Sequence, residues 1–144
     1  MRRLGGRYIE GGARSDMSDP VPVIEGMSAV TLHVTEIERA RRFYKEALGL
    51  TEVTYQPERK RAVFAIPGLT GTVLSMHEMA PQEGGRPPGT VSGIIFSHRD
   101  PARAMDEIRR RGGTVTQEVD KTPFGFLRGC FADPDGNEFV LSSA

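Results

Sequence analysis

Three histidines and one cysteine carry the soft donors of this 144-residue chain. His33 shares its parity with Thr31 and Ala29, and His77 with Ser75, so each imidazole stands on a strand face beside small or hydroxyl-bearing neighbours. An imidazole so placed can orient or deprotonate a ligand near neutral pH; it serves equally as an ordinary hydrogen-bonded lining residue. His33 and His77 are therefore candidates for ligand contact and for a general base, with Ser75 beside them. Two imidazoles and a hydroxyl fall one ligand short of a zinc site. His98 precedes a helix cap and is expected at the surface. Glu138 opens a strand and reads either as a pocket carboxylate or as a surface acid. Cys130 lies in an apolar strand with no base beside it in sequence, which suits an inert thiol rather than a nucleophile. Arg109-Arg110-Arg111 closes a helix, where cations complement the helix dipole. Pro123-Phe124-Gly125-Phe126-Leu127 sets two phenylalanines beside a glycine, the composition of an aromatic flap or of a hydrophobic turn, and makes Phe124 and Phe126 candidate ligand contacts.

Strands and helices must position these groups. Val30, Leu32 and Val34 alternate with Ala29, Thr31 and His33, a strand with two distinct faces. Thr35 and Glu38 have capping-box spacing, and Ile37, Ala40, Phe43, Tyr44, Ala47 and Leu48 recur at helical intervals until Gly49, which predicts a helix over 36–48. Three short strands follow at 51–55, 62–66 and 71–77, punctuated near Pro57 and at Pro67-Gly68. Residues 80–88 form a Pro- and Gly-rich linker. The order then repeats: a strand over 91–96, a helix opened by Asp100 and Pro101 with Ala104, Met105 and Ile108 on one face, a stop at Gly112-Gly113, and strands at 114–119, 126–131 and 138–141. Asp133-Pro134-Asp135-Gly136-Asn137 turns between the last two strands.

The chain thus reads as an arm over 1–26 and one α+β domain over 27–144, built from two βαβββ modules, 27–79 and 89–144. Met17 and Met27 are both possible alternative starts, and Val21, Val23 and Ile24 could add an edge strand. A four-stranded sheet cannot bury its apolar face alone, so each module needs a partner. A formal net charge of zero, with no aromatic residues interleaved among the basic ones, gives no support to a nucleic-acid or anionic-membrane partner. One cysteine excludes an internal disulfide, and no apolar run has signal-peptide or membrane-spanning length, so a cytoplasmic location is expected.

The tandem βαβββ order, the helix ending Phe43-Tyr44-Lys45-Glu46-Ala47-Leu48-Gly49-Leu50 and the terminal Asp-Pro-Asp-Gly-Asn hairpin together resemble the vicinal-oxygen-chelate superfamily, which includes glyoxalase I, bleomycin-resistance proteins and ring-cleaving dioxygenases. The resemblance implies a curled mixed sheet around a pocket, usually in a homodimer. It also implies adjacent, parallel first and fourth strands, which would bring His77 beside His33. In the family's enzymes a divalent metal is held by His, Glu or Gln from the first and last strands of each module. Those positions fall here on Ala29, Ser75, Gly93 and Val140, so no metal or other cofactor is expected. Glu138 stands two residues too early, an offset of roughly 7 Å along a strand.

Two functional classes follow. One is a metal-independent protein of the bleomycin-resistance type that sequesters a planar or aromatic small molecule, with His33, Ser75, His77, Phe124 and Phe126 as ligand contacts. The alternative is a glyoxalase- or dioxygenase-type lyase, isomerase or oxygenase, using a displaced divalent metal or His33 or His77 as base.

Overall fold

The structure, a computed structural model, describes residues 23–79, 89 and 91–143. Within them the order is β1 Ala29–Val34, α1 Ile37–Arg42, β2 Glu52–Gln56, β3 Arg61–Ala65, β4 Val73–Glu78, β5 Val91–Ser97, α2 Pro101–Arg110, β6 Thr114–Lys121, β7 Leu127–Ala132 and β8 Glu138–Ser142. The expected linker over 80–88 and residues 1–22 of the expected arm lie outside the described residues. Val23 and Ile24 are described and join no strand; both are exposed, because no sheet edge receives them.

Each unit forms one four-stranded mixed sheet, ordered β1-β4-β3-β2 and β5-β8-β7-β6. The first strand runs parallel to the fourth in both, and the remaining pairs are antiparallel. This is the α+β architecture the sequence pattern requires. Leu32, Phe64, Leu74 and Met76 of sheet one, Phe131, Phe139 and Leu141 of sheet two, and Ile37, Phe43, Tyr44, Met105 and Ile108 of the helical segments share one hydrophobic core. Tyr44 meets Phe139 edge-on across the two units, with centroids 6.2 Å apart. Because both sheets spend their apolar faces on this common core, no described helix or strand covers the opposite face of either, and among the described residues the two sheets do not close around a pocket.

The first helix differs from its expected form in two respects. It continues past Arg42 as a π-helical turn over Phe43–Ala47, with Leu48 N–H reaching the Phe43 carbonyl at 3.2 Å, before Gly49 takes a φ of 73°. Its capping box does not form. Glu36 occupies the N-cap without a side-chain bond, and the Ile37 N–H is instead accepted by Glu78 Oε1 at 3.0 Å. Thr35 stands one residue before the N-cap, and its hydroxyl is engaged elsewhere, accepting Arg39 Nη2 at 3.0 Å and donating to Asp135, one hundred residues away.

That contact belongs to a latch built by the terminal turn. Asp135 Oδ1 also accepts the Thr35 N–H at 3.1 Å and Arg39 Nη2 at 3.0 Å. Asp133 is buried; its Oδ1 accepts the Asp135 and Asn137 N–H groups, each at 2.9 Å, and its Oδ2 accepts Tyr44 Oη–H at 2.6 Å and Asn137 Nδ2 at 2.9 Å. Asn137 Nδ2 reaches the His33 carbonyl at 3.1 Å. The turn therefore closes its own hairpin and also fixes the end of β1, the strand that carries His33. At the second helix the expected chemistry holds: Asp100 Oδ1 accepts the Arg103 N–H at 3.2 Å, and Pro101 fills the first turn.

Candidate functional site

Strand parity decides what the uncovered faces present. On sheet one, Leu32 and Val34 point to the core, so Ala29, Thr31 and His33 point outward; on β4 the outward set is Val73, Ser75 and His77. The register then lines up Gln56 of β2, Arg61 of β3, His77 of β4 and His33 of β1 in one cross-strand row. Thr54, Val63, Ser75 and Thr31 form the next row. Neighbouring strands stand roughly 4.8 Å apart, so each row spans about 14 Å, the size of a small flat molecule. No acidic residue occupies either row. Ser75 is 1% exposed, and its hydroxyl accepts Arg61 Nε at 3.1 Å.

Sheet two presents a less polar face. Val91 and Ile95 of β5 are 69% and 50% exposed, and Cys130 stands opposite Val140 beside them. Arg128 pairs in register with Ser142, donates from Nε to its hydroxyl at 3.0 Å, and holds its guanidinium 5.2 Å from the Phe126 ring centroid. Phe124 is 87% exposed at the tip of the β6–β7 loop, so it does not pack on the core. Glu138 is half-buried and accepts the Thr116 hydroxyl at 2.6 Å. Burial, and then the Glu138 charge, push the Cys130 thiol above its usual range.

The structure brings His33, Ser75 and His77 together and leaves Phe124 and Phe126 on the other sheet. His98 is exposed, and its Nδ1 accepts the Asp100 N–H at 2.8 Å. Arg109, Arg110 and Arg111 are tied to acids on or beside their own helix, with Glu107 serving the latter two. Sequence reasoning missed Arg61, Gln56 and Arg128. Arg61 stands just outside the expected strand over 62–66, yet its parity with Val63 placed it on the outward face.

A divalent metal does not fit the positions that the family resemblance assigns to it. Ala29 and Gly93 carry no donor, Val140 is aliphatic, and Ser75 already accepts Arg61 Nε. Gly93 takes a φ of 77° where β5 slips its register between Val91 and Ile95, so the strand bulges at that position. Among the described residues no three His, Cys, Asp or Glu side chains are grouped to hold an ion.

Two concavities accompany these faces. One of about 480 Å³ runs along the outward side of sheet two past Val91, Thr114, Thr116 and Glu138. A larger cleft of about 1180 Å³ separates the units at the end opposite the latch, between the Ile66–Leu69 turn and the start of α2. His33 and His77 line neither.

The model of the Glyoxalase/Bleomycin resistance protein/Dioxygenase superfamily matches residues 26–141. A superfamily member from Sphaerobacter thermophilus DSM 20745 superposes with a TM-score of 0.72 at 31% identity, covering 84% of this chain and 98% of that one. TnmS3, described as an antibiotic binding protein from Streptomyces sp. CB03234, gives a TM-score of 0.71 at 26% identity, covering 85% of this chain and 98% of its own. The virulence protein STM3117 of Salmonella typhimurium strain LT2 is 26% identical over 123 residues, covering 83% of this chain and 85% of that protein.

Proposed function

The chain belongs to the Glyoxalase/Bleomycin resistance protein/Dioxygenase superfamily, and from that premise we propose that it is a metal-independent binding protein for a planar or aromatic small molecule. The observation that carries the reading is the pair of uncovered sheet faces. One offers donors in register, Arg61, His77 and His33; the other offers Val91, Ile95 and an aromatic loop. An apolar surface with a few convergent polar groups is the usual composition of a small-molecule site. Exposed sheet faces of this kind are stabilised by a second layer, and a homodimer that sets sheet one of one copy over sheet two of the other supplies it. The likeness to TnmS3, an antibiotic binding protein, supports the same class of activity.

A second reading rests on His33 and His77 standing directly cross-strand. One imidazole could act as general base on a bound metabolite, with the other as its proton-bearing neighbour. Calorimetry of the purified full chain against a panel of flat aromatic compounds, with and without EDTA, separates the readings when run beside light scattering. Binding unchanged by the chelator, without turnover and at dimer mass, is the expected result. Loss of binding to EDTA with one equivalent of bound metal would overturn metal independence, turnover abolished by His77→Ala would establish the enzyme, and a monomer mass at micromolar concentration would remove the dimer.

A further inference from the structure

Five of the eleven described arginines are matched to acids. Arg39 pairs with Asp135, Arg41 with Glu52, Arg109 with Glu118, and Arg110 and Arg111 with Glu107. Arg61 and Arg128 are instead held by hydroxyls, both in the same way. Each lies on the third strand of its unit, in register with an outward residue of the fourth: Arg61 with His77, Arg128 with Ser142. Each donates from Nε to a serine hydroxyl that is itself buried, Ser75 at 1% and Ser142 at 3% exposure. Neither makes an ion pair among the described residues. Arg42, Arg59, Arg99 and Arg103 also lack an acid, but they are exposed on helices and loops, and no side-chain hydrogen bond within the described residues holds them.

A guanidinium held by its Nε keeps its two terminal nitrogens as an outward fork, the geometry that accepts a carboxylate, sulfonate or phosphate end-on. The serine clamp removes side-chain freedom before any ligand arrives, so less entropy is lost on binding. The surroundings favour an anion further. The two rows around Arg61 contain no acid, and the His77 and His33 rings lie next in its row. On sheet two, Asp120 stands opposite Arg128 in register without pairing to it, and its Oδ1 accepts the Lys121 N–H at 2.7 Å. Glu138 lies four residues from Ser142 along β8, roughly 13 Å.

We propose that the molecule bound on these faces is an organic anion, a flat apolar body carrying an oxyanion group, with Arg61 and Arg128 as the two charge-reading positions and Phe126 under the body beside Arg128. This inference rests on the small-molecule reading above and narrows it to a ligand class. The test is fluorescence titration of the full chain with two probes of the same aromatic frame, anilinonaphthalene sulfonate and the neutral N-phenylnaphthylamine. The sulfonate should bind at least about tenfold more tightly, since a charge-assisted forked contact is worth about that factor or more. Arg61→Gln and Arg128→Gln should each lose part of the preference and the double variant all of it, with the sulfonate losing more affinity than the neutral probe in each. Arg61→Lys should keep the salt sensitivity but lose part of the affinity, and it serves as the readout if the Gln variants fail to fold. Equal affinity for both probes, or a preference that survives the double variant, overturns the anion inference and leaves the binding protein standing. If neither probe binds, the small-molecule reading falls and takes this one with it.

Discussion

Replacing Tyr44 by Phe deletes one buried oxygen and leaves the ring, with its neighbours Phe43, Phe64 and Phe139, in place. The variant therefore isolates the hydrogen bond that ties the first unit's helical segment to the terminal turn. That bond is donated to a carboxylate oxygen, Asp133 Oδ2, whose other partner is Asn137 Nδ2. A hydrogen bond to a charged group contributes about 1.5–3 kcal/mol, and the loss leaves a buried acceptor partly unsatisfied, so a cost near 2 kcal/mol is expected. For a chain of this size that corresponds to a fall of roughly 4–8 °C in the thermal midpoint. The same residue sets an alkaline signature. Burial first, and then the Asp133 charge, hold the Tyr44 hydroxyl well above its ordinary range. Above a pH of about 10 the unfolded chain releases this proton while the native state keeps it. The native state then binds more protons, so stability falls as pH rises, by at most about 1.4 kcal/mol per pH unit from this group. Tyr44→Phe removes that slope. Denaturant titrations of both proteins between neutral pH and about pH 11 read both effects, and the difference curve cancels Tyr55, which keeps its own partner Glu38. A midpoint within about 1 °C of the parent, or an alkaline slope that survives the substitution, would refute the latch.

Phe126→Ala should weaken binding of an aromatic ligand by roughly tenfold to a hundredfold, the worth of one buried ring. His33→Ala should cost less; calorimetry compares them, and normal binding by both Phe124→Ala and Phe126→Ala would make the loop mere packing. Cys130 should react more slowly with iodoacetamide near pH 8 than a free thiol, because burial and then Glu138 disfavour its thiolate, and Glu138→Gln should speed it. A parent rate equal to that of free cysteine would contradict this. Asn137→Ala removes the bond to the His33 carbonyl, the bond its amide donates to Asp133 and the one it accepts from the Gly89 N–H, so faster amide exchange at the end of β1 is expected alongside lower stability, and exchange confined to the turn would break the link to the site.

The faces of the sheets were legible because a two-residue period leaves no choice: once Leu32 and Val34 go inward, His33 goes outward. Adjacency of His33 and His77 needed the parallel pairing of β1 with β4, which the family resemblance implied and no local window contains. Local windows also failed at Thr35. Its spacing from Glu38 is that of a capping box, but Asp135, far along the chain, takes the hydroxyl, and Glu78 supplies the missing acceptor instead. Arg61 was lost for a boundary reason, since β3 begins at Arg61 itself, right after the left-handed Lys60. Whether the sheets close on each other was not legible. Both outward faces mix polar and apolar residues, and it takes the three-dimensional packing, such as Tyr44 on Phe139, to show that one core joins their inner sides.

The charge at the heart of sheet one marks what this site can and cannot do. Where the family resemblance puts a metal ligand, Ser75 holds a guanidinium. A metal ion polarises a bound oxygen and also acidifies water to make a nucleophile. A guanidinium can match the first effect at an oxyanion through its fork of donors, but it has no open coordination position and no protonation change near neutral pH to drive the second. On the proposed reading, sheet one would hold an anion electrostatically rather than activate water through a metal. A histidine base would then have to supply the chemistry, and among the described residues no carboxylate stands in the row of Arg61 and His77 to hold the His77 imidazole in a working tautomer. On the proposed reading, the combination of a clamped cation, neutral donors and an exposed aromatic loop selects for retention of a ligand over its turnover, and an Arg61 variant should change how long the anion stays bound without exposing any latent reaction.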